Sequence, residues 1–259
     1  MTQHALTPAA DPQWPDPVEI HNPDGRSPIV LLCEHASNHI PAEYAGLGIS
    51  QADLQRHIAW DIGAAEVTRR LSSILDAPAF LGTYSRLLID LNRPLDSPTS
   101  IVERSEATDI LGNSALSQAE RERRVRRIFQ PYQDAVSAHL DARAAVARPA
   151  VIVPIHSFTP VFHGEARPWH AGVLFEKATA FAQATIERLS RDATLNVGAN
   201  VPYGISVENY YALLVHGDNV DRPALLIEIR QDLIATAEDA ELWARRLAAA
   251  LAADVALAR

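Results

Sequence analysis

Short, nearly continuous apolar runs alternate along this sequence with longer segments of helical periodicity. We predict strands over 29–33, 79–82, 87–91, 150–155, 171–175, 210–215 and 224–229. Helices are predicted over 50–75, 117–146, 178–189 and 238–257, and the first two begin at capping boxes. Strands without polar alternation are covered on both faces, so the pattern predicts an α/β fold, a three-layer α/β/α sandwich with a mixed, largely parallel central sheet.

The N-terminal segment differs from the rest of the chain. Five prolines fall within residues 1–27, where apolar periodicity is weak. We predict an extended arm over 1–27, packed on the domain by Trp14, and a single α/β hydrolase-type catalytic domain over 28–259. The first residues show no secretory signal, and a single cysteine offers no disulfide framework. A cytoplasmic location is therefore expected.

Charge and hydropathy limit the partners of this chain. A formal net charge of −9 argues against nucleic acid, because phosphate binding requires a net basic surface. No window approaches the roughly 18 uninterrupted apolar residues of a membrane helix, so no membrane partner is expected. A small anionic ligand is compatible with the charge, since one arginine can bind a carboxylate within an acidic protein. The sequence leaves monomer and homodimer open.

Chemically versatile side chains follow several predicted strands at the point where each strand ends. These residues are His35, Asn92, Arg93, His156 and Glu228. In open α/β sheets the ligand crevice lies beyond the carboxyl ends of the strands. The sequence therefore predicts that these side chains line one crevice.

The two histidines suggest a metal site. A catalytic zinc ion is usually held by three protein ligands, and neutral imidazole is a preferred one. His35 and His156 are the best pair, and Asp61, Glu34 or Asn38 could supply the third ligand. We expect Zn²⁺, although another divalent metal would suit the same donors.

The segment SRLLIDLNRP offers donors for an anionic substrate. The planar fork of Arg93 matches a carboxylate, and Asn92 adds an amide beside it. The competing interpretation is a structural ion pair between Arg93 and Asp90. Arg86 lies earlier in the predicted strand and is more typical of a structural residue.

The segment LLIEIRQDLI places charges inside an apolar strand. Glu228 and Arg230 alternate with isoleucines and therefore share a face. A carboxylate in such surroundings is costly unless it is paired or functional. The segment therefore has two interpretations. Glu228 forms an ion pair with Arg230 or Arg93, or it is a general base with a raised pKa.

Three other residues offer alternatives near the first strand. Cys33 could be a nucleophile, but a cysteine within an apolar strand is more often a small buried hydrophobe. His39 could replace His35 as a ligand, although Pro41 argues against a regular helix there. His57 lies four residues before Asp61 on a predicted helix and could support it.

Taken together and in order, several segments resemble the N-formylglutamate amidohydrolase family over about 29–233. They are CEHASNHIP, AWDIGA, SRLLIDLNRP, IHSFTP, RPWHAGVLF and LLIEIRQDLI. The resemblance implies a sandwich of the zinc-exopeptidase (phosphorylase/hydrolase-like) type. It also implies an enzyme that hydrolyses a linear amide, removing an N-formyl or related N-acyl group from an acidic amino acid. N-formyl-L-glutamate would give formate and glutamate, a late step of histidine catabolism.

The resemblance also implies roles for the candidate residues. His35, His156 and Asp61 would hold the metal, and Glu228 would be the general base. Asn92, Arg93, Arg86, Arg230 and Ser157 are the candidates for substrate binding. His216, at the end of a predicted strand, or Arg86 would help to stabilise the oxyanion.

One position departs from the exopeptidase pattern. Zinc carboxypeptidases and related deacylases have a glutamate three residues after the first histidine, where this chain has Asn38. That departure supports the alternative of a non-catalytic carboxylate-binding homologue. A hydrolase of a different N-acyl amino acid is a further alternative, because the segments 94–150 and 160–220, outside the shared motifs, would determine specificity.

Overall fold

The computed structural model describes residues 14–206 and 210–252. Its principal sheet has seven strands in the order β1-β3-β2-β6-β11-β9-β10. These strands are β1 (Val18–His21), β2 (Ile29–Cys33), β3 (Ala79–Gly82), β6 (Val151–Phe158), β9 (Ala171–Leu174), β10 (Val197–Ala199) and β11 (Leu226–Arg230). Two small hairpins pair β4 (Arg104–Ser105) with β5 (Thr108–Asp109), and β7 (Val161–Phe162) with β8 (Glu165–Ala166).

The principal sheet is mixed and mostly parallel. β3, β2, β6 and β11 are parallel neighbours, as are β9 and β10. The edge strand β1 runs antiparallel to β3, and β9 runs antiparallel to β11. The central strands therefore end at one edge of the sheet, where ligands bind in α/β proteins.

Helices cover both faces of the sheet. They are α1 (Gln51–Leu54), α2 (Ala64–Leu75), α3 (Gln118–Arg124), α4 (Gln130–Ala145), α5 (Thr179–Leu189), α6 (Tyr211–Val215) and α7 (Ala237–Ala252). One apolar core contains side chains of α2, α5 and α7. A second core, on the other face, contains side chains of α4 and α6. This arrangement confirms the predicted α/β sandwich. No helix of the described ranges is long and apolar enough to cross a bilayer.

Most predicted elements agree with the structure, and two predicted strands are wrong. The segment 87–91 is a buried turn whose carbonyl groups accept from side chains of other segments. Asn113, Arg124 and Gln133 donate to the carbonyl oxygens of residues 87, 88 and 91. Such side-chain donors satisfy buried backbone groups without a neighbouring strand, so the apolar run needs no place in the sheet.

The predicted strand over 210–215 is the helix α6. The Asn92 side-chain oxygen accepts from the backbone N–H of Ala212 at 3.0 Å and so satisfies a donor in the first turn of this helix. A short apolar run does not distinguish a strand from a buried helix. The long-range contact with Asn92 is the additional information that the sequence does not display.

Both long predicted helices are interrupted. Residues 55–63 separate α1 from α2, and Gly63, with φ +82°, lies before α2. A side chain there would collide with the carbonyl oxygen of Ile234, so glycine suits this position. A π-helical turn, Val125–Phe129, separates α3 from α4, and Pro131 lies in the first turn of α4, where proline is tolerated.

The predicted arm contains part of the sheet. Residues 18–21 form the edge strand β1, and residues 1–13 lie outside the described residues. Trp14 packs against the rings of Tyr44 and Tyr84 with centroid distances of 5.9 and 5.6 Å. The last predicted residues of the closing helix, 253–257, also lie outside the described ranges.

Candidate active site

A cavity of about 640 Å³ lies where β2, β6 and β11 end. Its walls include His35, Asp61, Arg86, Asp90, Asn92, Arg93, His156, Ser157, Tyr203, Tyr210 and Glu228. Such a cavity with a few convergent polar groups is typical of a small-molecule site.

The fold brings distant positions to this cavity. His35 is the second residue after β2, and its carbonyl oxygen accepts from the Asp61 backbone N–H at 2.9 Å. His156 lies within β6 and is paired in register with Glu228 of β11. Parallel pairing therefore places the second histidine and the candidate base on neighbouring strands.

His35, Asp61 and His156 form a buried cluster that could hold a metal ion. One ligand atom from each lies within 4.8 Å of the others. Asp61 Oδ2 lies 2.8 Å from Nδ1 of His156 and 3.4 Å from Nδ1 of His35. Two imidazoles and a carboxylate are the donor set of several catalytic zinc sites, so the residues present fit this metal.

Two further carboxylates face the outer nitrogens of these histidines. His35 Nε2 lies 2.7 Å from Asp90, and His156 Nε2 lies 3.0 Å from Glu34. Carboxylates in this position fix the tautomer and the orientation of a metal-ligating histidine. Glu34 therefore contacts the far side of the His156 ring, and the geometry favours Asp61 as the third ligand.

Arg86 forms ion pairs with both Asp61 and Asp90. Its guanidinium donates to Asp90 at 2.8 Å and to Asp61 at 3.3 Å. Burial opposes the charge of this arginine, but the two carboxylates outweigh burial and raise the pKa of Arg86. The ion pairs hold Arg86 against the rear of the cluster.

The cluster shifts the protonation of its members. Burial alone would lower the pKa of His156, but hydrogen bonds to Asp61 and Glu34 raise it to about 10. Burial opposes ionisation of Asp61, yet His35 and His156 hold its pKa below the usual range. The cluster therefore favours a cation between these side chains, either a proton or a metal ion that replaces it.

Glu228 is the remaining buried carboxylate of the cavity. Desolvation, only partly offset by the charge of His156, raises the pKa of Glu228 to about 8. Its Oε2 atom is buried and has no hydrogen-bond partner among the described residues. A carboxylate with such an oxygen in a cleft, and with a pKa near neutrality, has the properties of a general base.

The candidate substrate-binding residues occupy different environments. Arg93 and Ser157 line the cavity, and the Ser157 hydroxyl donates to the Ile62 carbonyl oxygen at 2.8 Å. Asn92 also lines it, although its side-chain oxygen accepts from α6. Arg230 pairs with Asp232 at 2.8 Å rather than with Glu228.

Other candidate residues lie away from the cluster. His216 Nε2 contacts the Gln133 side-chain oxygen at 2.7 Å, and His216 is not part of the cavity wall. Asn38 donates to the Leu54 carbonyl oxygen at 2.8 Å, beside a separate depression that His39 also lines. His57 lines the cavity but faces Glu106, at 3.4 Å, rather than Asp61.

Cys33 is not part of the cavity wall. It is fully buried in β2, and burial, followed by the charge of Asp61, raises the pKa of its thiol. A neutral, inaccessible thiol is unsuited to nucleophilic attack.

Two site residues were not predicted in their roles. Asp90 stands within the quoted SRLLIDLNRP segment, but its expected partner was Arg93 rather than His35. Tyr203 lines the cavity from a loop without strand or helix periodicity. The cluster of polar residues in SRLLIDLNRP was a usable signal for Asp90, whereas the loop containing Tyr203 gave none.

Comparison with known proteins supplies the family. The model of the N-formylglutamate amidohydrolase family matches residues 27–235. The structure of the gene product Atu2144 from Agrobacterium tumefaciens shares 36% identity, covers 95% of this chain and 98% of its own, and has a TM-score of 0.91. An N-formylglutamate amidohydrolase from Ralstonia eutropha shares 20% identity, covers 93% of this chain and 100% of its own, and has a TM-score of 0.67. No curated protein matches the chain.

The fold, the cavity and these matches together define a hydrolase that acts on amide bonds. The family model spans far more than half of the sequence. The chain belongs to the N-formylglutamate amidohydrolase family.

Proposed function

We propose that this protein is a metal-dependent amidohydrolase that removes the N-formyl group from an acidic amino acid. N-formyl-L-glutamate would yield formate and glutamate, a late step of histidine breakdown. The observation that carries the proposal is the buried cluster His35–Asp61–His156 beside the buried carboxylate of Glu228 in one cavity.

His35, His156 and Asp61 would hold the metal, and zinc suits their nitrogen and oxygen donors. When bound, the ion would supply Lewis acidity towards water and towards the acyl carbonyl. Asp90 and Glu34 would keep the two imidazoles oriented through their outer nitrogens. The buried position of the cluster excludes bulk solvent and strengthens these electrostatic interactions.

Glu228 would transfer the proton in this reaction. Its carboxylate takes a proton from the attacking water as the new C–O bond forms. It then gives that proton to the amide nitrogen as the C–N bond breaks, so the products are the carboxylic acid and the free amine. Its pKa of about 8 suits both transfers near neutral pH.

Arg93 would bind the carboxylate of the amino acid. Arg93 lines the same cavity as Glu228, and a guanidinium can bind a carboxylate through two parallel hydrogen bonds. Such binding would fix the amide bond relative to the base. Asn92, which contacts α6, would support the wall next to Arg93.

A substrate panel tests the proposal. N-formyl and N-acetyl derivatives of glutamate, aspartate, glutamine and leucine are incubated with the purified protein, and release of formate or acetate is measured. The proposal predicts the highest kcat/KM for N-formyl-L-glutamate or N-formyl-L-aspartate. Equal rates on the glutamine and leucine derivatives, whose side chains are uncharged, would exclude a preference for acidic amino acids. Binding without turnover would support a carboxylate-binding homologue instead.

A further inference from the structure

Tyr203 lines the same cavity as the candidate base, Glu228. The charge of Glu228 acts on the phenol. Asp61 and Arg86 line this cavity as well. Tyr203 therefore shares the cavity with the groups that would surround the reacting amide.

Arg167 holds this phenol in place. Its Nη1 donates to the Tyr203 hydroxyl oxygen at 2.8 Å. Its guanidinium carbon also lies 4.7 Å from the Tyr203 ring centroid and 4.4 Å from that of Phe162. Two aromatic contacts and one hydrogen bond thus fix Arg167 between the hairpin β7–β8 and the loop of Tyr203. Arg167 belongs to the RPWHAGVLF segment, which the proposed mechanism does not otherwise use.

The direction of the hydrogen bond determines what Tyr203 can do. An arginine side chain has donors only, so the phenolic oxygen must accept from Arg167. The phenolic hydrogen is then left to donate elsewhere. Burial and the charge of Glu228 raise the pKa of Tyr203, which keeps this hydrogen on the oxygen at neutral pH.

A hydrogen-bond donor at the acyl oxygen would assist the reaction, in addition to the Lewis acidity that a bound metal would supply. Negative charge accumulates on the acyl oxygen when water attacks the amide, and fixed donors aimed at that oxygen lower the barrier. His216 contacts Gln133 outside the cavity wall, and Arg86 is bound to Asp61 and Asp90. The two donors expected from the sequence therefore have other partners.

We propose that Tyr203 is a catalytic residue that donates a hydrogen bond to the acyl oxygen, and that Arg167 is the positioning residue that orients its hydroxyl. The inference rests on the proposed function, because it assumes an acyl group in this cavity. The phenolic O–H bond stays intact throughout, so no proton is transferred from Tyr203.

Removal of the hydroxyl tests the donor. Tyr203→Phe should lower kcat by about 10²-fold with little change in KM, because the interaction strengthens as charge develops. Tyr44→Phe is the matched control. The Tyr44 hydroxyl also forms a hydrogen bond, with Glu120 at 2.7 Å, but Tyr44 does not line the cavity. It should keep the kcat of the unmodified protein, and circular dichroism and thermal unfolding compare the folds.

Arg167 is tested through Tyr203. Arg167→Met should lower kcat by about 10-fold. Arg167→Lys should restore part of the loss, because lysine can donate to the phenol but lacks the planar guanidinium that stacks on the two rings. In the Tyr203→Phe background, Arg167→Met should have little additional effect. A general structural role for Arg167 would instead slow both backgrounds by the same factor, which would overturn the positioning role.

The outcomes separate this inference from the proposed function. An active unmodified protein whose Tyr203→Phe variant keeps its kcat would overturn the role of Tyr203 alone. Equal losses in Tyr203→Phe and Tyr44→Phe would also overturn it. An unmodified protein that releases no acid from any N-acyl amino acid would overturn the proposed function, and the role of Tyr203 with it.

Discussion

Asp61 and His156, which are 95 positions apart in the chain, meet at 2.8 Å through Oδ2 and Nδ1. The same carboxylate oxygen also lies 3.4 Å from Nδ1 of His35. The relationship depends on the fold, because His35 follows one strand, His156 lies on its parallel neighbour, and Asp61 is held by the backbone of His35. One carboxylate oxygen thus lies between the two histidines.

Replacing Asp61 tests its assignment as the third metal ligand. Asp61→Asn should reduce bound zinc to background, because the variant loses the anionic oxygen between the two imidazoles. Glu34→Gln should weaken zinc binding only by about 10–100-fold, since Glu34 contacts the outer nitrogen of His156. Zinc per chain is measured by mass spectrometry after dialysis at defined free zinc.

Asn38→Ala is the control for metal binding. Its amide donates to the Leu54 carbonyl oxygen, away from the cluster, so zinc content should be unchanged. Normal zinc binding by Asp61→Asn together with complete loss in Glu34→Gln would reverse the assignment of ligand and supporting carboxylate.

Replacing Glu228 tests the general base. Glu228→Gln keeps the shape of the side chain and removes its basic oxygen, so kcat should fall by about 10²–10⁴-fold with fold and zinc content intact. Glu187→Gln, on the exposed face of α5, is the matched control and should be fully active. Near-normal turnover of Glu228→Gln would exclude Glu228 as the base.

Replacing Arg93 tests recognition of the substrate carboxylate. Arg93→Ala should lower kcat/KM for N-formyl-L-glutamate by about 10–100-fold, the usual cost of losing a hydrogen bond to a charged group. The diamide of the same substrate, which carries no carboxylate, should lose much less. Equal losses of kcat/KM on both compounds would show that Arg93 does not bind the carboxylate.

Cys33 should be dispensable for activity. Its side chain is fully buried, so Cys33→Ala should keep kcat within about 3-fold and the folded protein should resist thiol alkylation. Stability may be compared separately by urea unfolding, because shortening a buried side chain costs packing energy. Rapid inactivation by alkylation, together with loss of activity in Cys33→Ala, would instead support Cys33 as the nucleophile.

The buried imidazole of His216 should make the stability of the protein, rather than its catalysis, depend on pH. Burial lowers the pKa of His216 to about 4, below its ordinary value of 6.5. Between these values the unfolded chain binds the proton more tightly, so the free energy of unfolding should fall as pH drops, by roughly 2–3 kcal/mol in all. The stability is fully present above pH 6.5 and is lost towards pH 4.

Urea unfolding at pH 7 and pH 4.5 measures this effect. His216→Asn should remove that part of the pH dependence, whereas His163→Asn, on the exposed hairpin β7–β8, should not. An unchanged pH dependence in His216→Asn would contradict the buried, neutral imidazole.

Much of the fold could be predicted because its central strands are apolar on both faces. The strands 29–33 and 79–82 agree with the structure residue for residue. The segments 87–91 and 210–215 are equally apolar, but their backbone groups contact distant side chains such as those of Asn113 and Asn92. Local periodicity carries no information about such partners.

The candidate site could be predicted only in part, for the same reason. Strand ends identified His35, His156 and Glu228, and the structure brings these three to one cavity. The contacts of Asp90 with His35, and of Arg167 with Tyr203, span 55 and 36 positions. Neither pair has a spacing that an element of secondary structure would produce.

Zinc titration of the metal-free protein tests the central claim most directly. The protein is stripped with a chelator, and release of formate from N-formyl-L-glutamate is followed as zinc is added. We predict negligible turnover without metal and a linear rise that saturates at one zinc ion per chain. Full activity of protein shown by mass spectrometry to contain no metal would contradict the account.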